Sequence, residues 1–250
     1  MSDQRSASAV GETAAAADTI AALLEDVFAA VAPLQRTVER VLAPGPGRVA
    51  SHELGIEREV AELLSDPDLL AASAGFVAAP GVLADRDRWL EWWKVDPRDR
   101  SAPPERVNPE AAPDGTTAFD YRDAPWLVVP RETGERHVTG PYVDYFCLAE
   151  YALTLTLPVA AGGVFAGVVG ADVSIADVER RLADLLEPLA TPAVLVNTSG
   201  RVLAAVGLDL ITGDLLRDAP PPSAWSAPAP APWRAVARCG TLPLAVLVGA

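Results

Sequence analysis

From residue 20 onward, apolar side chains recur in alternating steps of three and four: Ile20, Leu24, Val27, Val31, Leu34, Val38 and Val41. That spacing lines them along one stripe of an α-helix. Proline lacks an N–H and crowds the preceding turn, so Pro33 predicts a bend or a break within it. Ala43-Pro44-Gly45-Pro46-Gly47 stops the helix. The stripe has two uses: packing on the chain's own domain, or pairing with a second subunit through its coiled-coil-like spacing. Residues 1–17 are small and polar and predict a loose tail.

Ile56, Val60, Leu63 and Leu64 mark a second, short amphipathic helix ahead of Asp66-Pro67. The pattern then changes to strands. Gly75 to Ala79 and Trp89 to Trp93 read as two of them, with Trp89, Glu91 and Trp93 on one face of the second and Trp92 on the other. Residues 96–116 predict a loop, Thr117 to Arg122 a strand, and Trp126 to Val129 a brief extended or turn segment. Leu153 to Leu157 alternates as a strand, Gly162-Gly163 supplies a hairpin turn, and Val164 to Asp172 returns, thinned by Gly167 and Gly170. Ser174 and Asp177 resemble a capping box opening a helix that buries Ile175, Val178, Leu182, Leu185 and Leu186, closed by Pro192. A second hairpin joins Ala193–Val196 to Arg201–Ala204 through Asn197-Thr198-Ser199-Gly200. Ala, Pro and Ser fill residues 219–232. Leu242 to Val248 reads as an edge strand, because Pro243 cannot donate there.

The elements predict an α+β fold, with an antiparallel sheet behind a long N-terminal helix and a smaller sheet module at the C-terminus. The divisions fall at 1–17 (tail), 18–48 (helix and linker), 49–190 (main module) and 191–250 (second module).

Composition narrows the partners. With 34 acidic against 20 basic residues the net charge is -14, which argues against a nucleic-acid surface. Two cysteines make no disulfide framework. The N-terminus lacks the apolar core of a secretory signal and no run is long enough for a membrane span, so the expectation is a soluble, cytoplasmic chain without a membrane partner. An extracytoplasmic domain excised from a longer protein is the alternative.

The chemistry centres on two acids. Asp144 follows Gly140-Pro141-Tyr142-Val143 and either stabilises its turn or faces a ligand. Asp172 ends a strand of Val, Ala and Gly and either binds the first N–H groups of the next helix or a ligand. Together, beside glycines and rings, they suit a small pocket for an ammonium group. Trp89, Trp92, Trp93, Tyr121, Trp126 and Tyr142 are candidate walls, each with core packing as its plain alternative. Glu91 is a second acidic candidate or a solvated edge charge. Arg122 either receives a carboxylate or pairs with Asp120 or Asp123. Catalytic chemistry is poorly served. His52 and His137 have no metal-ligand spacing, Cys147 reads as a buried thiol, and no GxSxG, GxGxxG or GxxxxGK occurs. No catalytic residue, metal site or cofactor is expected.

Trp126, Gly140-Pro141-Tyr142-Val143-Asp144, Leu153-Thr154-Leu155-Thr156-Leu157-Pro158-Val159 and Gly167 to Ser174 together resemble the core of Cache sensor domains, over about residues 117–187. The resemblance implies a PAS-like sheet with the ligand in the main module, in a two-module architecture. In amino-acid- and amine-sensing members the Asp closing the GVxGxD strand binds the ligand ammonium, a role implied here for Asp172. Tyr142 and Asp144 match the PYxD motif, and Trp126 the preceding Trp. The family's Arg two residues before that Trp and the aromatic after it are replaced by Ala124 and Leu127, with Arg122 four residues upstream. The amine half of the pattern is kept and the carboxylate half departs. The expected function is sensing or binding of a cationic metabolite, a biogenic amine or amino acid. Occupancy would pass to a separate regulatory protein or across a homodimer through residues 20–42. The alternatives are a non-catalytic interaction scaffold with a vestigial pocket, or an enzyme acting on a small cation.

Overall fold

The computed structural model describes residues 2–96, 99–100, 102–107, 121–144, 150–186 and 192–249, with side chains from residue 9. Helix α1 (Ser2–Val41) is continuous through Pro33. Pro33 is exposed, as is Ala29, whose carbonyl it leaves without an intrahelical donor, so water can serve that oxygen. The helix also takes in residues 2–17, read from composition as a tail: their alanines favour helix, and Ala9, Ala16 and Ala17 are buried.

The apolar stripe forms as its spacing demands. Ile20, Leu24, Val27, Val31, Leu34 and Val38 are at most 1% exposed, and Leu42, not Val41, completes the row. This corrects the subunit-pairing use of the stripe, because those side chains already lie in the chain's own interior.

By internal contacts the chain divides into two compact units, one of Asp26–Thr139 and Val143–Val173, the other of Met1–Glu25, Gly140–Tyr142 and Ser174–Ala250. In the first, α2 (Glu57–Leu64) buries Val60, Leu63 and Leu64. A six-stranded sheet runs in the order β3-β2-β1-β6-β5-β4, from β1 (Ala71–Ala78), β2 (Trp89–Lys94), β3 (Glu105–Arg106), β4 (His137–Asp144), β5 (Glu150–Ala161) and β6 (Val164–Ser174). β1 pairs antiparallel with both β2 and β6. Gly162 and Gly163, both at positive φ, make the β5–β6 turn where the sequence placed it. Gln35 Nε2 donates to Pro158 C=O at 2.6 Å, tying α1 to β5.

The short segment after Pro125 is a helix, α3 (Pro125–Thr133), and not the extended or turn segment the pattern suggested. Proline suits the first helical position and Gly134 ends the helix in the left-handed region, at φ 71°. Pro130 inside it cannot bond the Trp126 carbonyl. That oxygen instead accepts from Thr156 Oγ1 at 3.0 Å. Thr156→Val should therefore leave a buried carbonyl unpaired and lower stability by about 1–3 kcal/mol. Adding Pro130→Ala, which restores an N–H, should recover much of that loss in urea unfolding.

Of the strand expected at 117–122, residues 117–120 lie outside the described residues. Tyr121 opens a turn instead, its carbonyl accepting from Ala124 N–H at 3.0 Å.

In the second unit, α4 (Ile175–Leu186) buries Ile175, Val178, Leu182 and Leu186. A four-stranded sheet has the order β8-β7-β10-β9, from β7 (Ala193–Asn197), β8 (Val202–Val206), β9 (Trp233–Arg238) and β10 (Leu244–Gly249). The second hairpin is as expected. The last strand is not at an edge: β10 pairs with β7 on one side and β9 on the other. Pro243 precedes its first residue, so no ladder donor is missing. β9 follows the Pro-rich segment, which is pinned by Trp225 Nε1 to Pro220 C=O at 2.9 Å and Trp233 Nε1 to Asp218 C=O at 3.2 Å.

Candidate functional site

Strand register decides which side chains meet. Gly75 of β1 lies opposite both Trp92 of β2 and Gly170 of β6, and Ser73 lies opposite Asp172. Side chains alternate, so Ser73, Gly75, Trp92, Gly170 and Asp172 share one face. Phe76, Trp93, Glu91 and Val169 share the other.

Asp172 is only 3% exposed and closes its strand within a cluster of hydroxyls. Thr154 Oγ1 donates to Oδ1 at 2.6 Å. Ser73 Oγ donates to Oδ2, and Trp92 Nε1 reaches the same oxygen at 3.1 Å and Ser73 Oγ at 2.8 Å. The carboxyl thus rests on side-chain donors, not on the first N–H groups of α4. Burial raises its pKa from the usual carboxylate range to about 7. The charge of Asp144, itself buried, raises it further, and the three side-chain donors oppose both effects. A group held this way carries a proton through mildly acidic pH and loses it near neutrality.

Two glycines make room on this face. A Cβ on Gly75 would lie 2.8 Å from Cε3 of Trp92, so the indole sits directly against bare backbone. A Cβ on Gly170 would meet the Leu155 carbonyl at 2.5 Å and Cγ2 of Thr156 at 3.0 Å. Thr154 and Thr156 alternate onto the same face, one bonding Asp172 and the other the Trp126 carbonyl, which brings α3 onto it. Tyr121 packs against Trp126 with ring centroids 6.0 Å apart. Its hydroxyl donates to Ala78 C=O at 3.0 Å and accepts from Trp89 N–H at 2.9 Å, so it ties β1 to β2.

The residues singled out from sequence therefore separate. Asp172 and Asp144 interact through their charges, and Trp126 reaches the Asp172 face through α3. Trp93 and Glu91, one residue out of step with Trp92, do not join this face and lie on the opposite face of the sheet. Arg122 is exposed in a turn. Tyr142 is half-buried in β4 and belongs to the second unit, as does Gly140, whose carbonyl accepts from Asn197 Nδ2 at 2.9 Å. Cys147 lies outside the described residues. Burial pushes the Cys239 thiol up to about 12, which leaves it inert as a nucleophile at neutral pH. Among the described residues no group of three or more His, Cys, Asp or Glu could hold a metal ion, and no helix is long and apolar enough to cross a membrane.

Ser73 and Thr154 were missed as partners of the acid, and Trp92, expected as a pocket wall, bonds it directly. The alternating threonines of β5 carried a signal, since hydroxyls inside a wholly apolar strand must find partners. Ser73 carried none, because its position opposite Asp172 is set by register across the sheet.

No family model and no curated protein matches the chain. Solved structures do match in fold. The extracellular domain named for the histidine kinase soHK1S-Z6 aligns with a TM-score of 0.65 at 12% identity, covering 96% of this chain and 91% of that one. Methyl-accepting Chemotaxis protein X aligns at 0.62 and 19% identity, over 82% of this chain and 75% of that one. The ligand-binding domain of the Pseudomonas aeruginosa PAO1 amino-acid chemoreceptor PctC, in complex with GABA, aligns at 0.56 and 19% identity, over 94% and 96%. These comparisons overturn the cytoplasmic expectation, because the matched folds include domains described as extracellular. The chain shares a PAS-like α+β fold with these solved domains.

Proposed function

We propose that the chain is a non-catalytic sensory module of the extracytoplasmic kind, which takes a small polar metabolite on the Asp172 face and passes occupancy to a partner protein. The observation that carries this reading is the buried Asp172, held by Ser73, Thr154 and Trp92 beside two glycines and within reach of the charge of buried Asp144. Its fold is shared with a chemoreceptor domain that was solved with GABA, whose ammonium is the kind of group two carboxylates attract. An ammonium placed between them would replace the proton that Asp172 otherwise retains. The chain's Gly140-Pro141-Tyr142-Val143-Asp144 and Gly167 to Ser174 motifs further favour the Cache family.

A second reading has its own support. Both Asp172 oxygens already accept bonds from the chain's own side chains. This is how a vestigial pocket in an interaction scaffold would look, and it weighs against a ready-made cage specific for cations. The two readings differ in calorimetry against a panel of amines, amino acids and carboxylates. The sensor reading expects saturable heat from at least one compound, reduced tenfold or more in affinity by Asp172→Asn in a protein that still unfolds cooperatively. Silence across the panel would support the scaffold. Equal affinity in the variant would remove Asp172 from the site.

A further inference from the structure

The opposite face of the main sheet carries a separate cluster. Trp89, Glu91 and Trp93 alternate along β2, and Arg106 of β3 lies opposite Trp93 in register. The Arg106 guanidinium carbon is 5.4 Å from the Trp89 ring centroid and 5.6 Å from that of Trp93, so one cation addresses both indoles. Arg86 lies over Trp89 at 5.7 Å. Between the two rings Glu91 is 7% exposed and accepts from Trp89 Nε1 at 2.9 Å. Burial raises its pKa, while the charge of Arg106 works the other way. Among the described residues no basic side chain forms an ion pair with it.

We propose that Trp89, Glu91 and Trp93 form a cation cage, distinct from the Asp172 face, in which Arg106 is a resident occupant that an external quaternary ammonium can displace. Indole faces attract a cation through their quadrupole, more strongly when it is desolvated. A quaternary ammonium has no N–H to satisfy, so it loses little on entering against rings, whereas a guanidinium keeps donors that prefer water or oxygen acceptors. Arg106 is exposed and sits on a strand of two residues held to β2 by its backbone, opposite Trp93 and with Val107 N–H on the Trp92 carbonyl, so moving its side chain leaves the sheet in place. Glu91 then provides a counter-charge that no ion pair among the described residues neutralises.

The test is titration with tetramethylammonium chloride against a sodium chloride control of equal ionic strength, read by the indole N–H signals in a proton–nitrogen NMR spectrum. In the wild-type chain the Trp89 and Trp93 signals should move saturably, while Trp225 and Trp233 stay still. Arg106→Gln, which removes the resident cation at an exposed position, should tighten binding about tenfold. Adding Glu91→Gln to it should reverse most of that gain. The proposal is overturned if Arg106→Gln binds no more tightly than wild type, or if the sodium chloride control moves the same signals equally. Should Arg106→Gln not fold, wild-type signals that fail to move saturably overturn it by themselves.

Discussion

Gly75→Ala should lower the stability of the main unit by about 3 kcal/mol or more. The added Cβ would stand 2.1 Å from the Glu91 carbonyl oxygen and 2.7 Å from Trp92 Cα. Those are backbone atoms of the paired strand, so no side-chain rotation relieves the contact. β1 is also held on its other side by β6, with Gly170 opposite Gly75, and cannot simply move away. The Trp92 indole that bonds Asp172 would be displaced together with its strand. Gly11→Ala is the natural control: it lies on the exposed side of α1 with nothing within 4 Å of the new methyl. Alanine is the better helix former, so that change should be neutral or stabilise by about 0.5–1 kcal/mol. Urea unfolding of both variants checks the contrast, and equal stabilities would show that β1 and β2 are less closely apposed than described.

The second large effect is in pH. The Asp172 carboxyl titrates near its ordinary 3.8 in the unfolded chain and at about 7 in the folded chain. Between those values the folded state binds the extra proton, so this group makes stability fall as pH rises. Its contribution is fully present below about 4 and is lost as pH passes through about 7. At about 1.4 kcal/mol for each pH unit, the full loss is about 4 kcal/mol. Asp172→Asn cannot ionise and should flatten this part of the profile. The variant's stability relative to wild type should therefore improve steadily from pH 4 to pH 8, whatever its offset at pH 4. Denaturant melts across that range measure it, and parallel profiles would mean that Asp172 is not buried as a neutral acid.

The sequence made the secondary structure legible where burial is one-sided and periodic. The stripe from Ile20 to Val38 required a helix, and the alternation from Leu153 to Leu157 required a strand, because no other backbone period buries those side chains together. It misled where proline was treated as a breaker. Pro125 begins a helix, Pro33 and Pro130 are accommodated within helices, and Pro243 stands just outside a central strand. In each case the consequence depends on which carbonyl loses its donor and what replaces it, and Thr156 lies 30 residues from the carbonyl it rescues. The site was legible in its acids and not in their partners. Asp172 and Asp144 are marked by local motifs, whereas Ser73 and Trp92 meet them through strand register. A one-residue difference in parity put Trp92 beside the acid and sent Trp93 and Glu91 to the other face.

In the proposed sensor, Asp172 holds a proton in a buried polar cluster and exchanges it for a small ligand. Carbon-13 NMR of the aspartate carboxyls, titrated with and without candidate amines and amino acids, addresses it directly. One carboxyl should titrate with a midpoint of about 7, be absent in Asp172→Asn, and be moved toward lower pH by at least one compound. A midpoint in the ordinary carboxylate range, or one near 7 that no compound shifts, would contradict it.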